Sequence, residues 1–379
     1  MAQLLSRGVR APSCVALLCA LAFAACGGGS TIKIGVAGNF EDPLSAPIRY
    51  GARLAVEEIN AAGGVNGRKL ELVEREDYAD VDSAVVVATD FYTSDVVAVI
   101  GHGFSGPTLA AAPIYNGGDD PMLEIAPASS SPAVSEAGPY TFRLCPSDVA
   151  HGAALARWAR QRLSLDRAAV LYLNDDYGRG IRQAFEQEFQ ALKGEVVAAL
   201  PYLGDIPEVG PYMDRLARDG RAQFIVVAGY DSDAKEILSQ ARRRDITVPV
   251  MGGDGLEQIF RAGDIAEGTY ATSSYFPSVD TPVNNKFAAA YAQRYPDAGP
   301  PNGSGAASYD AVYMLRDVIS RVGTQRKKVR DAFAEIGRSA PAHEGAMGTL
   351  AFDENGDVPS LRIYMGVVHN GRMTMAEGQ

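Results

Sequence analysis

Gly101-His102-Gly103-Phe104-Ser105-Gly106 is the first stretch whose residue types and spacing could do chemistry. It spells the GxGxxG pattern of a dinucleotide-binding turn, and Glu124 stands roughly where an acid would hold a ribose. A nicotinamide reaction also needs a catalytic set, and the chain supplies none. The loop has a more general ability. Its glycines let the main chain approach a ligand closely, and a helix starting near Pro107 would offer free N–H groups and the positive end of its dipole. Such a loop suits a carboxylate as well as a phosphate. Hydrolytic readings have less support. Gly103-Phe104-Ser105-Gly106-Pro107 lacks the closing glycine of GxSxG, and Ser129-Ser130-Ser131 has no SxxK partner. His102, His151, His343 and His369 are scattered without HxxxH spacing, so neither a metal enzyme nor a resident cofactor is expected.

The elements that must position such a loop are those of a globular chain. The 379 residues are 47% hydrophobic and 21% charged, which excludes disorder, collagen and coiled coil. The length suggests two domains, each with its own core. A net charge of −11 argues against nucleic acid, whose binding needs a basic footprint. At the N-terminus, Arg7 and Arg10 precede the apolar run Val15–Ala25, which is shorter than the ~20 residues of a membrane span. Residues 1–25 therefore read as a secretory signal peptide, and an exported chain meets few nicotinamide cofactors. Phe23-Ala24-Ala25-Cys26, followed by Gly27-Gly28-Gly29-Ser30, is similar to a bacterial lipoprotein cleavage box, with Phe23 where Leu is usual. Cys26 is then the lipid anchor and residues 26–31 the tether; the alternative is ordinary cleavage near Ala25. Removal of residues 1–25 takes away Arg7 and Arg10 and no acid, so the charge deepens by two. Cys14 and Cys19 lie in the signal, which leaves Cys145 as the single thiol of the folded part, read as a small buried hydrophobe.

Beyond the tether, short apolar runs alternate with helical patterns. Strands are expected at Thr31–Ala37, Lys69–Glu74, Val96–Ile100 and Met122–Ala126, with helices at Tyr50–Ala62, Ser83–Thr93 and Thr108–Asn116 between them. A second series follows, with helix Ala150–Leu163, strand Ala168–Leu173, helix Gly180–Leu192, strand Val196–Leu200, helix Met213–Arg218, strand Phe224–Ala228, helix Ala234–Arg243 and strand Pro249–Gly252. The alternation predicts two Rossmann-like α/β lobes with mostly parallel sheets. A Pro/Gly stretch at Pro296–Gly305 precedes a helix at Ser308–Val322, and the chain closes on strand-like Leu361–Val368.

From Ile32 to about Met375 the chain resembles the periplasmic leucine/isoleucine/valine-binding proteins, the type I solute-binding receptors of ABC transporters. The resemblance rests on Gly51–Gly67 (GARLAVEEINAAGGVNG), Val99-Ile100-Gly101-His102, Ala126-Pro127-Ala128-Ser129-Ser130, Tyr140-Thr141-Phe142-Arg143, Asp176-Tyr177-Gly178-Arg179-Gly180 and Ser308-Tyr309-Asp310-Ala311-Val312. It implies the type I periplasmic-binding-protein fold: two lobes joined by a three-segment hinge near Arg143–Asp148, Tyr275–Ser278 and Phe352–Asp357. Lobe 1 then comprises 32–145 plus 277–353, and lobe 2 comprises 146–276 plus 354–379. It also implies a monomer that binds a branched-chain or other small amino acid between two closing lobes, hands it to ABC permease subunits and catalyses nothing. A receptor for an amide, a urea-like compound or an aromatic carboxylate is the alternative.

In such receptors the ligand's α-carboxylate meets a Ser hydroxyl of the IGH loop and an amide and hydroxyl of the next loop. Those positions fall on Ser105, Ala128 and Ser130, with Phe104 and Ser129 beside them. Ser130 and Ser131 could instead cap a helix begun by Pro132. The α-ammonium meets an acid after an MGxE-like strand end, here Met251-Gly252-Gly253-Asp254; Asp254-Gly255-Leu256-Glu257 is also a capping-box pattern in which Asp254 only caps. Tyr177 and Tyr230 map onto cleft tyrosines, whereas Tyr309 and Asp310 read as helix-start or core residues. The loop Asn39–Ser45 departs from the family and brings in Glu41 and Asp42, either as solvated charges or to admit a polar or cationic ligand side chain.

Overall fold

The computed structural model describes residues 31–204 and 209–378. The expected signal peptide, the Cys26 anchor and the glycine tether up to Ser30 lie outside the described residues. The first series of apolar runs forms β1 (Ile32–Gly38), β2 (Leu70–Glu76), β3 (Ala98–Ile100), β4 (Leu123–Ala126) and β5 (Thr141–Arg143), joined by α1 (Pro47–Ala61), α2 (Val81–Thr93) and α3 (Ser105–Asn116). The strands stand in the order β2-β1-β3-β4-β5, with every pair parallel; Ile34 sits opposite both Leu72 and Ala98. Helices cover the faces of a parallel sheet, so its inner strands β1, β3 and β4 are almost wholly buried, whereas the edge strand β2 (LELVERE) keeps exposed charged positions.

α1 shows how the sequence dictates the packing. Pro47 opens the helix, and Ile48, Ala52, Leu54, Ala55 and Ile59 are buried against the sheet and a later helix. Each such branched side chain is worth roughly 1.5–3 kcal/mol when fully buried. Gly51 sits where α1 crosses α9 (Gly303–Val322), and a Cβ there would lie 1.9 Å from the Gly305 carbonyl oxygen. No other residue type fits that crossing.

The second series forms α4 (Asp148–Arg157), β6 (Arg167–Leu173), α5 (Asp176–Ala191), β7 (Glu195–Tyr202), α6 (Gly210–Asp219), β8 (Phe224–Ala228), α7 (Asp231–Arg242), β9 (Val250–Gly252) and β10 (Tyr270–Ser273). The expected helix over Ala150–Leu163 is interrupted, because α4 gives way to a π turn at Trp158–Arg162. The chain then returns to the first sheet with α8 (Pro282–Arg294), α9, α10 (Arg326–Ala334) and the hairpin β11 (His343–Gly345)–β12 (Gly348–Leu350). Phe287, Tyr291, Leu315 and Phe333 from this segment share one core with Ile32 and Ile34. Finally β13 (Tyr364–His369) and β14 (Arg372–Met375) add antiparallel strands to the second sheet, whose order is β14-β13-β10-β9-β8-β6-β7. The chain therefore passes between the two sheets after β5, after β10 and before β13.

Among the described residues no helix is long and apolar enough to cross a membrane, and no group of His, Cys, Asp and Glu could hold a metal ion.

Candidate functional site

The two sheets present the carboxyl ends of their parallel strands and the N-termini of the following helices to a common crevice, which is where ligands bind in α/β folds. A cavity lies there, within an envelope of about 500 Å³ that opens to solvent. Of the expected site residues, Phe104, Ser105, Ala128, Tyr177, Tyr230 and Asp254 line it. Ser129 and Ser130 do not.

The first sheet supplies the polar, uncharged end. α3 starts at Ser105, two residues before the expected start at Pro107, so Ser105 is itself the first helical residue. The first N–H groups of a helix lack intrahelical partners and carry its positive dipole end. The Ser105 hydroxyl accepts a hydrogen bond from the Ser131 N–H at 3.2 Å, which ties the loop after β3 to the loop after β4. Ser129 works on the same tie. Its hydroxyl and that of Thr108 lie 2.7 Å apart and both lie within reach of the His102 carbonyl, so one hydroxyl donates to the other and the second to the carbonyl. The Ser130 hydroxyl is buried and faces the Asp148 carboxyl without forming a well-shaped hydrogen bond. Neither serine caps a helix: the turn begun by Pro132 has no side-chain cap.

Arg143, at the end of β5, fixes this loop from behind. Its guanidinium is 1% exposed and donates to the carbonyls of Ser130 and Ser131 at 3.0 and 2.9 Å and to the Ser135 hydroxyl at 2.9 Å. It also lies 2.8 Å from the Asp357 carboxylate, near the third passage between the sheets.

The second sheet supplies the acidic and aromatic end. Asp175 caps α5, accepting from the Gly178 N–H at 2.7 Å, and so presents Tyr177 in the first turn. The Tyr177 hydroxyl donates to Asp254 Oδ1 at 3.0 Å and accepts from the Gly255 N–H at 2.8 Å. Asp254 does not cap the short turn that it begins. Its Oδ2 stands 3.5 Å from Nε2 of the buried His151, whose Nδ1 meets the Thr272 hydroxyl at 2.9 Å. Burial pushes the His151 pKa down, which favours a neutral ring, so the carboxylate has no cation of its own beside it. Behind it, burial first and then the charge of Asp254 push the Asp148 carboxyl well above the ordinary range.

The rings close the crevice. Tyr177 and Tyr230 stack at 4.9 Å and 17°, and Phe104 from the other sheet meets Tyr230 edge-on at 5.1 Å and 89°. Gly180 of α5 permits a further approach, since a Cβ there would lie 3.0 Å from Pro132 Cδ.

Other lining residues were not among those expected. Cys145 is buried, as expected, but it also lines the cavity. Asn302, Gly303 and Ser304 line it from the start of α9, where Asn302 caps Gly305 and the Ser304 hydroxyl holds the Leu44 carbonyl at 2.7 Å. An Asn-Gly-Ser start before an apolar helix was a readable cap signal. Glu257 lines the cavity too, although its place in a capping-box pattern suggested only a local role. Burial first, then the neighbouring charge of Asp254, push its pKa up to about 8, against donors from Ser273, Gly303 and Ser274. Glu41 and Asp42 do not line the cavity. Glu41 is exposed, and Asp42 folds back to accept from the Leu44 N–H at 2.8 Å. Tyr309 and Asp310 are structural, as expected: Tyr309 donates to Glu58, and Asp310 accepts from the N–H groups of Ala346 and Met347.

A model of the periplasmic binding protein family matches residues 31–372. The chain belongs to that family. Curated relatives of this periplasmic binding protein include a leucine-, isoleucine-, valine-, threonine- and alanine-binding protein of Pseudomonas aeruginosa, 31% identical over 346 residues and covering 87% of this chain and 88% of that one. A Leu/Ile/Val-binding protein of Escherichia coli K12 is 28% identical over 373 residues, covering 94% and 96%. Among solved structures, a leucine binding protein of Thermotoga maritima superposes with a TM-score of 0.83 at 27% identity, covering 91% of this chain and 98% of that one. The branched-chain amino acid transporter substrate-binding protein of Streptococcus pneumoniae, in complex with isoleucine, superposes at 0.81 with 26% identity, covering 92% and 100%. The fold is thus that of the type I periplasmic binding proteins, as the motifs implied. A benzoate complex of a solute-binding protein from R. palustris shares that fold, with a TM-score of 0.81 at 20% identity and coverage of 91% and 95%.

Proposed function

We propose that this periplasmic binding protein captures an amino acid between its lobes and delivers it to the permease of an ABC transporter. The observation that carries this is the polarity of the cavity: hydroxyl and N–H donors at Ser105 and Ala128 on one sheet, an uncompensated carboxylate at Asp254 on the other. A zwitterion matches both ends at once. Its carboxylate takes hydrogen bonds strengthened by charge, and its ammonium neutralises Asp254 in a dry site. The ligands of those relatives, leucine and isoleucine among them, agree with an amino acid.

Binding is then a shift of equilibrium toward the closed arrangement, with no chemical step. The lobes are 32–145 plus 277–353 and 146–276 plus 354–379, turning about the three passages. Residues 1–25 direct export, Cys26 carries the lipid that holds the receptor at the membrane, and the receptor works as a monomer. Thermal-shift screening of the twenty amino acids and of their amine-free acids tests the assignment. A true ligand at 100-fold excess over Kd stabilises by about 2.7 kcal/mol. If only molecules without an amino group bind, the amino-acid assignment is wrong and an aromatic or simple carboxylate takes its place.

A further inference from the structure

The cavity holds more negative charge than a neutral amino acid needs. Asp254 and Glu257 both line it, and no lysine, arginine or histidine does. One carboxylate suffices for an α-ammonium, and uncharged donors serve the α-carboxylate, so Glu257 is left over. Its carboxyl faces the Ser273 hydroxyl, which itself donates to the Tyr275 carbonyl, and the main-chain N–H groups of Ser274 and Gly303. It therefore points at the junction of β10 and α9, on the boundary between two spaces. The second space, of about 560 Å³, is lined by Glu257 and Asn302 again and by Phe260, Phe276, Pro300 and Met373. Its one basic lining residue, Arg372, is exposed. Glu257 and Asn302 thus border both spaces, where the end of a long ligand side chain would meet them.

We propose that Glu257 determines specificity by pairing with an amine or guanidinium at the end of the ligand's side chain, so that the preferred ligand is a cationic amino acid. This rests on the amino-acid assignment above and narrows it. A neutral ligand leaves two acids close together with one cation between them, and such a pair keeps a proton. The groups that press on Glu257 are Asp254 on its own turn and Asp231 of α7, itself near Arg261. With an apparent value of about 8, Glu257 is mostly protonated at pH 7 while no cation faces it. A cationic side chain displaces that proton to buffer, and the carboxylate–cation pair forms in its place.

Calorimetry at pH 7 with L-arginine, L-lysine, L-ornithine and L-leucine, repeated in buffers of different ionisation enthalpy, tests this on the full chain and on Glu257→Gln. The expected result is at least tenfold tighter binding of one cationic ligand than of leucine, with close to one proton released for that ligand and none for leucine. Glu257→Gln should weaken the cationic ligand at least tenfold more than leucine and abolish the proton release. Tighter binding of leucine than of every cationic ligand would overturn the proposal and leave the amino-acid assignment standing. Equal losses for leucine and cationic ligands in Glu257→Gln would also overturn it, since they mark a merely structural residue. If no amino acid binds at all, both fail together.

Discussion

Replacement of Asp254 by asparagine separates the ammonium site from everything else in the cavity. Asparagine keeps the shape and an oxygen for the Tyr177 hydroxyl, now 3.0 Å from Oδ1, so the turn and the ring stack should persist. The charge disappears. Asp254 is 16% exposed, and its nearest imidazole, at 3.5 Å, is held neutral by burial, so an ammonium bound there has no other counter-ion. Truncating one partner of such a buried pair costs about 2–5 kcal/mol, or about 30- to 5,000-fold in Kd. The unliganded protein should lose nothing. Asp254 raises the pKa of both Asp148 and Glu257, and removing its charge relieves that repulsion, so the Tm of Asp254→Asn should equal or exceed the wild-type value. Titration calorimetry with the tightest amino acid of the screen and with its deaminated analogue reads the effect. The amino acid should weaken at least 30-fold and the deaminated acid hardly at all. An amino-acid Kd within threefold of wild type, at unchanged Tm, would refute the assignment of Asp254 to the ammonium.

Ser105→Ala removes a proposed carboxylate contact and the acceptor for the Ser131 N–H, and should weaken amino-acid binding by about 1–3 kcal/mol in calorimetry, whereas an unchanged Kd would move the carboxylate elsewhere. Phe104→Ala deletes the edge-on contact with Tyr230 and should raise Kd by roughly two- to tenfold, from about 0.5–1.5 kcal/mol of ring interaction, with little change in unliganded Tm. Arg143→Met leaves Asp357 without its cation, with only the Ser135 hydroxyl at 2.8 Å, and frees two carbonyls; a loss of about 3–5 kcal/mol in urea unfolding is expected. Stability of the unliganded protein should fall as pH rises. Glu257 and Asp310 have folded values of about 8 and about 7 against ordinary values of 4.5 and 3.8, so the folded state binds more protons between those limits. Their contribution is largest below about pH 4 and lost by about pH 8, and a Tm that rises from pH 5 to pH 8 would contradict it.

Much of the fold could be read because its strands are short β-branched runs and its amphipathic helices alternate with them. β1, β3, β6 and β8 fall within a residue or two of their expected places. What escaped was polar or brief. α10 reads RKKVRDAFA, with only Val329 and Phe333 among its larger apolar residues buried, and the helical period drowns in charge. α8 dilutes Phe287 and Tyr291 among alanine and asparagine. β10 and the β11–β12 hairpin are too short for alternation to show. In the site, glycine loops and helix starts were legible because they obey local rules. Whether Ser129 and Ser130 face the cavity or a neighbouring loop could not be read, because that is decided by tertiary bonds such as that between Ser129 and Thr108. Glu257 was hidden by its own spacing, since the same pattern that can cap a helix here aims a carboxyl into a crevice.

Arg143 gives the molecule a memory of its bound shape. By gripping the Ser130 and Ser131 carbonyls and Asp357 together, it welds the loop beside Ser105 to the points about which the lobes would turn. That loop has no freedom to melt when the lobes part, so an empty receptor already owns a finished half-site. On the proposed assignment, arrival and retention would belong to different halves: the carboxylate end would meet a rigid surface first, and the amine end would be reached when the second lobe swings in. Changes near Ser105 should register in how fast ligand is picked up, and changes at Asp254 in how long it stays.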